Sequence, residues 1–175
     1  MLRRVRMEDD ADIFEYGRDP EVTRHLMWDP HRSIEDSREF IHWVLELYRR
    51  GEVAPWGLEL RAEHKLVGTI GYHYWNRQHA RAELGYSLAR PYWGQGLMTE
   101  AARAAIDFGF QVMGLNRVEA RCVPANTASA RVMVKCGMRY EGTLREMDFR
   151  KGTFDDMLMY SILRREWATT YTGGE

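Results

Sequence analysis

The chain has 175 residues, 45% of them hydrophobic, with 25 basic and 26 acidic side chains and a formal net charge of −1. That length and apolar content suit one packed domain over residues 1–175, its core at about 2–167, and the balanced charge gives no global field to attract nucleic acid. No apolar run is long enough to cross a bilayer, and Met1-Leu2-Arg3-Arg4-Val5-Arg6 runs into acids without a signal peptide's apolar stretch, so a cytoplasmic protein is expected.

In chain order, residues 2–6 read as a first strand. Asp9 or Asp10 is placed to cap a short helix carrying Ile13 and Phe14. Ser33 and Asp36 have the spacing of a capping box, opening a helix to about Arg50. Its apolar positions Ile34, Ile41, Val44, Leu45 and Tyr48 share one face. Residues 56–60 and 66–74 alternate as strands around a polar turn, and a second turn at 76–81 leads to a strand over 82–88. A glycine turn then opens a helix over 99–112, where Ala102, Ala105 and Gly109 would let it lie close to a sheet. Residues 117–122 form a strand, 128–136 a short helix with Gly137 as its cap, and 140–148 and 154–163 two last strands. This is an α+β pattern. Cys122 and Cys136 are expected to stay reduced, and the six histidines show no zinc-ligand spacing, so no metal is expected.

The stretch Trp93-Gly94-Gln95-Gly96-Leu97-Met98-Thr99 concentrates the chemistry. A strand, a glycine turn and a helix start make an anion site, because the first helical N–H groups lack partners and glycine lets a phosphate approach the main chain. A bare strand-to-helix turn is the plainer reading. A P-loop would need Gly-Lys-[Ser/Thr], and Gly96 is followed by Leu97 and Met98. A dinucleotide site would need a small third residue where Thr99 stands, with Glu119 as its ribose acid. A coenzyme A site needs a second segment to hold the long pantetheine arm. Val123-Pro124-Ala125-Asn126-Thr127-Ala128-Ser129-Ala130-Arg131 lies one strand later and meets that demand, although Asn126 or Thr127 is equally a simple helix cap.

At this separation the two segments resemble motifs A and B of the GNAT acetyltransferase superfamily. Ala82-Glu83-Leu84-Gly85-Tyr86, Gly142-Thr143-Leu144-Arg145 and Asp19-Pro20-Glu21-Val22-Thr23 resemble its Rim-type branch, which includes ribosomal-protein N-terminal acetyltransferases. The resemblance implies a mixed, mostly antiparallel sheet flanked by helices and splayed at the cofactor site. It implies acetyl-CoA with its pyrophosphate on the N–H groups of Trp93 to Thr99 and its arm along the edge that includes Ser87 and Leu88. Asn126 would bond the arm, Arg131 and Lys135 would reach the phosphates, and a backbone N–H near Leu88 would take the oxyanion.

The amine must be neutral to attack the thioester, as roughly one in ten free α-amines is at neutral pH. Glu83, on the strand leading to the acetyl group, is the candidate base, with an ion pair to Arg81 as the structural alternative. Many members of the superfamily carry a thiolate-protonating tyrosine in the second helix; here that position is Met133, and Ser129 is the remaining hydroxyl. Trp28 is a candidate wall of the acceptor pocket, or packs against Trp43; Asp155, near Glu146, Asp148 and Asp156, is a candidate contact for a basic acceptor. The expected partners are acetyl-CoA and an amine, foremost a ribosomal or other protein N-terminus, with a small amine as the alternative and a homodimer as an open assembly. A non-catalytic acyl-CoA sensor is the rival class.

Overall fold

The computed structural model describes residues 1–171. Its strands are β1 (Leu2–Arg4), β2 (Trp56–Leu60), β3 (Lys65–Asn76), β4 (Arg81–Leu88), β5 (Arg117–Cys122), β6 (Arg139–Arg150) and β7 (Thr153–Leu163). Its α-helices are α1 (Asp10–Gly17), α2 (Pro20–Thr23), α3 (Ile34–Arg50), α4 (Leu97–Gln111), α5 (Thr127–Lys135) and α6 (Arg164–Tyr171). The strands form one 7-stranded sheet in the order β1-β2-β3-β4-β5-β7-β6. Neighbours run antiparallel except β4 and β5.

The local signals explain most element ends. Ser33 and Asp36 make the capping box of α3, and Gly51 closes that helix in the left-handed region at φ +67. Asp19 caps α2 by accepting from the Glu21 N–H, with Pro20 in the first turn. The first strand is shorter than its sequence suggests. The Arg6 N–H turns to Asp9 Oδ2 at 2.7 Å, which starts a 3-10 turn over Met7–Asp9. Helix α4 begins at Leu97 rather than Thr99 because Gly96, in the left-handed region, already serves as its N-cap. Helix α5 begins at Thr127, one residue early, because Asn126 caps it. The chain also adds α6 after the last strand, docked by Trp167 against Phe110 with ring centroids 5.3 Å apart.

Helices cover both faces of the sheet. Ile13 and Tyr16 of α1 and Ile41 and Val44 of α3 pack on one face with Val5, Leu66 and Ala89. Met98, Ala102, Ala105, Ile106 and Phe110 of α4 pack on the other with Tyr72, Ala82, Leu84, Val118 and Met133. Burying a Leu, Ile or Phe fully stabilises a fold by ~1.5–3 kcal/mol. The small residues of α4 have a visible purpose: a Cβ on Gly109 would lie 2.2 Å from the Tyr72 hydroxyl, which donates to the Ala105 carbonyl at 2.8 Å.

What matters most for function is how β4 and β5 part. They pair only at Arg81↔Arg117, Ala82↔Val118 and Glu83↔Glu119. Beyond that point β4 stays with β3 to the pair Gly68↔Leu88, and β5 stays with β7 to Cys122↔Leu158. Each strand keeps its outer partner while the inner edges open. Backbone groups on that edge of β4 are left to pair with something else.

Candidate active site

The glycine turn closes the open end of β4. Gly94 and Gly96 sit at φ +75 and +81, and a Cβ on either would meet nothing within 4 Å. The left-handed backbone costs an ordinary residue roughly 1–2 kcal/mol, so glycine is needed for the turn itself. The open space beside it lies against the first turn of α4, where N–H groups have no intrahelical partner and the helix dipole favours an anion. Met98 is buried and Leu97 and Thr99 half-buried, so these residues offer main chain rather than side chains. The Gln95 amide donates to the Pro91 carbonyl at 2.9 Å, and the Trp93 indole donates to the Leu88 carbonyl at 2.7 Å; both brace the turn. Thr99, Glu100, Arg103 and Lys135 continue this surface as a groove between α4 and α5, tied where Arg103 donates to the Lys135 carbonyl at 2.8 Å. Arg131 is exposed on α5 and stands outside that lining.

The splayed edge supplies the next part. The Ala89 N–H donates to the Val67 carbonyl on β3 at 2.7 Å. Strand alternation therefore turns the N–H groups of Leu88 and Tyr86 the other way, into the opening. The Ser87 hydroxyl is engaged on the α1 face with Thr69 Oγ1 at 3.1 Å, so what Ser87 offers a ligand is main chain. Asn126 Oδ1 accepts from the Ser129 N–H at 3.1 Å, leaving its amide hydrogens as donors for a ligand. Ser129 Oγ lies 3.0 Å from the Tyr86 hydroxyl. Cys122 is buried beside the same hydroxyl, and burial pushes its thiol up to about 11.

Glu83 lies on the opposite face of β4. Its partner is Arg121, Nε to Oε1 3.0 Å, not Arg81, which faces Glu119 at 3.8 Å. Parallel register explains this: Glu83 sits beside Glu119, and Arg121 follows two residues on, on the same face of β5. Arg121 also faces Asp148 of β6 at 3.3 Å. Burial raises the Glu83 carboxyl above the ordinary carboxylate value, and Arg121 pulls it partly back. His73, displaced at a bulge in β3, lies over Gly85, so close that a Cβ there would be 1.8 Å from Nε2. It keeps a solvent-facing edge, and desolvation first, then Arg121, lowers its imidazole pKa.

Beyond the end of β5 lies a groove of about 470 Å³ lined by residues that include Arg24, His25, Pro124, Glu146, Arg150 and Asp155. Asp155 is held by Arg150 at 2.9 Å, and Asp156 accepts from the Glu146 N–H at 2.8 Å, so both acids are already engaged. Trp28 is not in that lining. It packs against His31, ring centroids 5.2 Å apart, while Trp43 packs against Phe40. Glu119, the ribose acid of the dinucleotide reading, is 6% exposed and held by Arg117 at 2.8 Å; it is not free for a ribose.

A family model for the acetyltransferase (GNAT) domain matches residues 1–139. The chain belongs to the GNAT acetyltransferase family. It is 34% identical over 167 residues to the uncharacterized N-acetyltransferase p20 of Bacillus licheniformis, covering 95% of this chain and 94% of that one. It is 28% identical over 130 residues to the ribosomal-protein-serine acetyltransferase of Escherichia coli, covering 74% and 72%. The crystal structure of a GNAT-family acetyltransferase from Bacillus anthracis superimposes with TM-score 0.83 at 31% identity, covering 94% of each chain. The protein is thus an acetyl-CoA-dependent N-acetyltransferase with the mixed, splayed sheet of its family. Among the described residues, no group of three or more His, Cys, Asp or Glu is placed to hold a metal ion, and no helix is long and apolar enough to cross a membrane.

Three features of this site were missed by the sequence reading. Arg121 is the partner of Glu83, and the i, i+2 pattern Glu119-Arg121 beside Glu83 was its only trace. Tyr86 alternates with Ala82, Leu84 and Leu88 as one more apolar position of the 82–88 strand, and that pattern hides its hydroxyl. His73 left no trace, because the bulge that brings it over Gly85 has no local signal.

Proposed function

We propose that the enzyme acetylates the α-amino group of a protein or peptide, with Glu83 as the base. The observation that carries this reading is Glu83 itself. It is a half-buried carboxylate at the point where β4 leaves β5, with its pKa raised by burial and one cation beside it. Such a group accepts a proton more readily than an exposed carboxylate. That suits an amine of which about one-tenth is already neutral, better than a lysine side chain at roughly one in a thousand.

In this reading the pyrophosphate of acetyl-CoA rests on the main chain from Trp93 to Thr99, with Lys135 and Arg131 on the outer side. The arm follows the open edge of β4 as an added strand would, and Asn126 donates to it. The N–H of Leu88 faces the carbonyl oxygen of the acetyl group and meets the charge that grows there. Ser129 donates to the departing sulfur. The acceptor enters from the groove with Arg24, His25, Glu146 and Asp155. Its lining is of mixed charge, and Asp155 is already engaged by Arg150. That supports a peptide terminus over a polycation, which would call for an acidic funnel. The similarity to a ribosomal-protein-serine acetyltransferase supports the same choice.

The test offers short peptides with a free terminus, the same peptides blocked but carrying lysine, and spermidine. The free-terminus peptide is expected to have the highest kcat/KM. A higher value for spermidine or the blocked peptide overturns the acceptor assignment and leaves the acetyltransferase activity standing. Turnover with none, beside intact acetyl-CoA binding, supports a sensor. Light scattering with the free enzyme tests the expected homodimer.

A further inference from the structure

We propose that Tyr86 is a positioning residue for release of coenzyme A: its hydroxyl holds the Ser129 hydroxyl so that the serine hydrogen is presented to the leaving sulfur. The inference rests on the reading above in which Ser129 faces that sulfur. It begins from a gap. The second helix has Met133 where a phenol would serve as acid, and Met133 is 1% exposed and cannot donate. A phenol nevertheless reaches this place from the strand. Tyr86 projects from β4 on the side of Leu84 and meets the first turn of α5. Its hydroxyl lies 3.0 Å from Ser129 Oγ and 3.2 Å from the Ser129 carbonyl.

These two contacts give the single Tyr86 hydrogen two acceptors, and they have different consequences. When it is donated to the carbonyl, the phenol oxygen is free to accept from Ser129, and the serine hydrogen is turned inward. When the Tyr86 hydrogen goes to Ser129 Oγ, the serine can no longer donate to Tyr86, and its hydrogen is free for another acceptor. A sulfur gaining negative charge is a far better acceptor than the uncharged thioester sulfur, so the second arrangement wins as the C–S bond breaks. The chain tyrosine to serine to sulfur then polarises in one direction, and each bond strengthens the other. It tightens only as charge develops, which is the condition for lowering a barrier rather than binding the ground state.

The chemistry balances without a buried tyrosinate. The amine nitrogen forms the C–N bond, the C–S bond breaks, and its electron pair goes to sulfur. The nitrogen proton leaves through Glu83 to water. Ser129 and Tyr86 donate hydrogen bonds and keep their protons, and the thiolate is protonated by solvent after release. Burial holds the Tyr86 phenol well above its ordinary range, so it is a donor at every working pH.

Tyr86→Phe removes one oxygen and keeps the ring that packs against the core. The variants Tyr86→Phe, Ser129→Ala and the double variant are compared by single-turnover acetyl transfer, with acetyl-CoA affinity from calorimetry and melting temperature alongside. Tyr86→Phe is expected to slow transfer about ten-fold, the worth of one hydrogen bond, with affinity and melting temperature unchanged. In the Ser129→Ala background the same change is expected to cost less than two-fold. Equal costs in both backgrounds, or a wild-type rate for Tyr86→Phe beside a slow Ser129→Ala, overturn the role of Tyr86 alone. A wild-type rate for Ser129→Ala instead overturns the serine reading on which it rests.

Discussion

Arg3 and Arg121 each stand between two acids, and they are arranged to different ends. Arg3 of β1 joins Asp9 and Glu59. It grips Asp9 with two parallel bonds of 2.7 and 2.8 Å, its Nε reaches Glu59, and Asp9 also accepts from the Arg6 N–H. Every oxygen of Asp9 is engaged, and the cluster ties β1, β2 and the 3-10 turn into one piece. Arg121 of β5 joins Glu83 and Asp148 at 3.0 and 3.3 Å, single longer contacts. There, Asp148 Oδ2 is buried without a hydrogen-bond partner among the described residues, and burial raises the Glu83 carboxyl. The first cluster is saturated and so holds structure. The second keeps bonding capacity in reserve beside the opened strands, which suits the proposed handling of a proton and an amine there.

Replacing single members should separate the two clusters, beginning with the largest effect. Glu83→Gln keeps the shape and removes the proposed base; turnover is expected to fall by 10²–10⁴, the usual worth of a general base. Acetyl-CoA affinity should be retained in calorimetry. The sign of the pH dependence follows from the raised pKa: transfer needs the carboxylate, so activity falls as pH drops through a value above the ordinary carboxylate range. That acid limb should vanish in Glu83→Gln, and its survival would move the role of base to His73.

Arg3→Met comes next. It strands Asp9, 5% exposed, without its cation. Losing one partner of such a buried pair costs about 3–5 kcal/mol, read as a lower denaturation midpoint with residual activity per folded molecule unchanged. Asp148→Asn should leave the midpoint nearly unmoved and raise KM for the amine by roughly ten-fold or more, the worth of a hydrogen bond to a charged group. A large stability loss in Asp148→Asn would make the two clusters alike. The smallest effect is expected from Arg121→Met on the pH profile: without the cation that pulls the Glu83 carboxyl down, the acid limb moves to higher pH. A limb that moves down, or stays, would detach Arg121 from Glu83.

The sequence alone determined whatever depends on neighbours along the chain. The capping box at Ser33 and Asp36, the strand at 82–88, the glycine turn and the helix capped by Asn126 all follow from local geometry, and together they carried the family and its co-substrate. Tertiary structure decided what each functional side chain touches. Glu83 has Arg81 as its near neighbour in sequence, yet pairs with Arg121, because parallel register with β5 overrides chain proximity. Tyr86 reads as one more apolar position until α5 folds back and sets Ser129 against its hydroxyl. The bulge that puts His73 over Gly85, and the parting of β4 from β5, are likewise invisible in a linear pattern. Periodicity reports which face a residue takes; only the packing of distant elements fixes what stands opposite it.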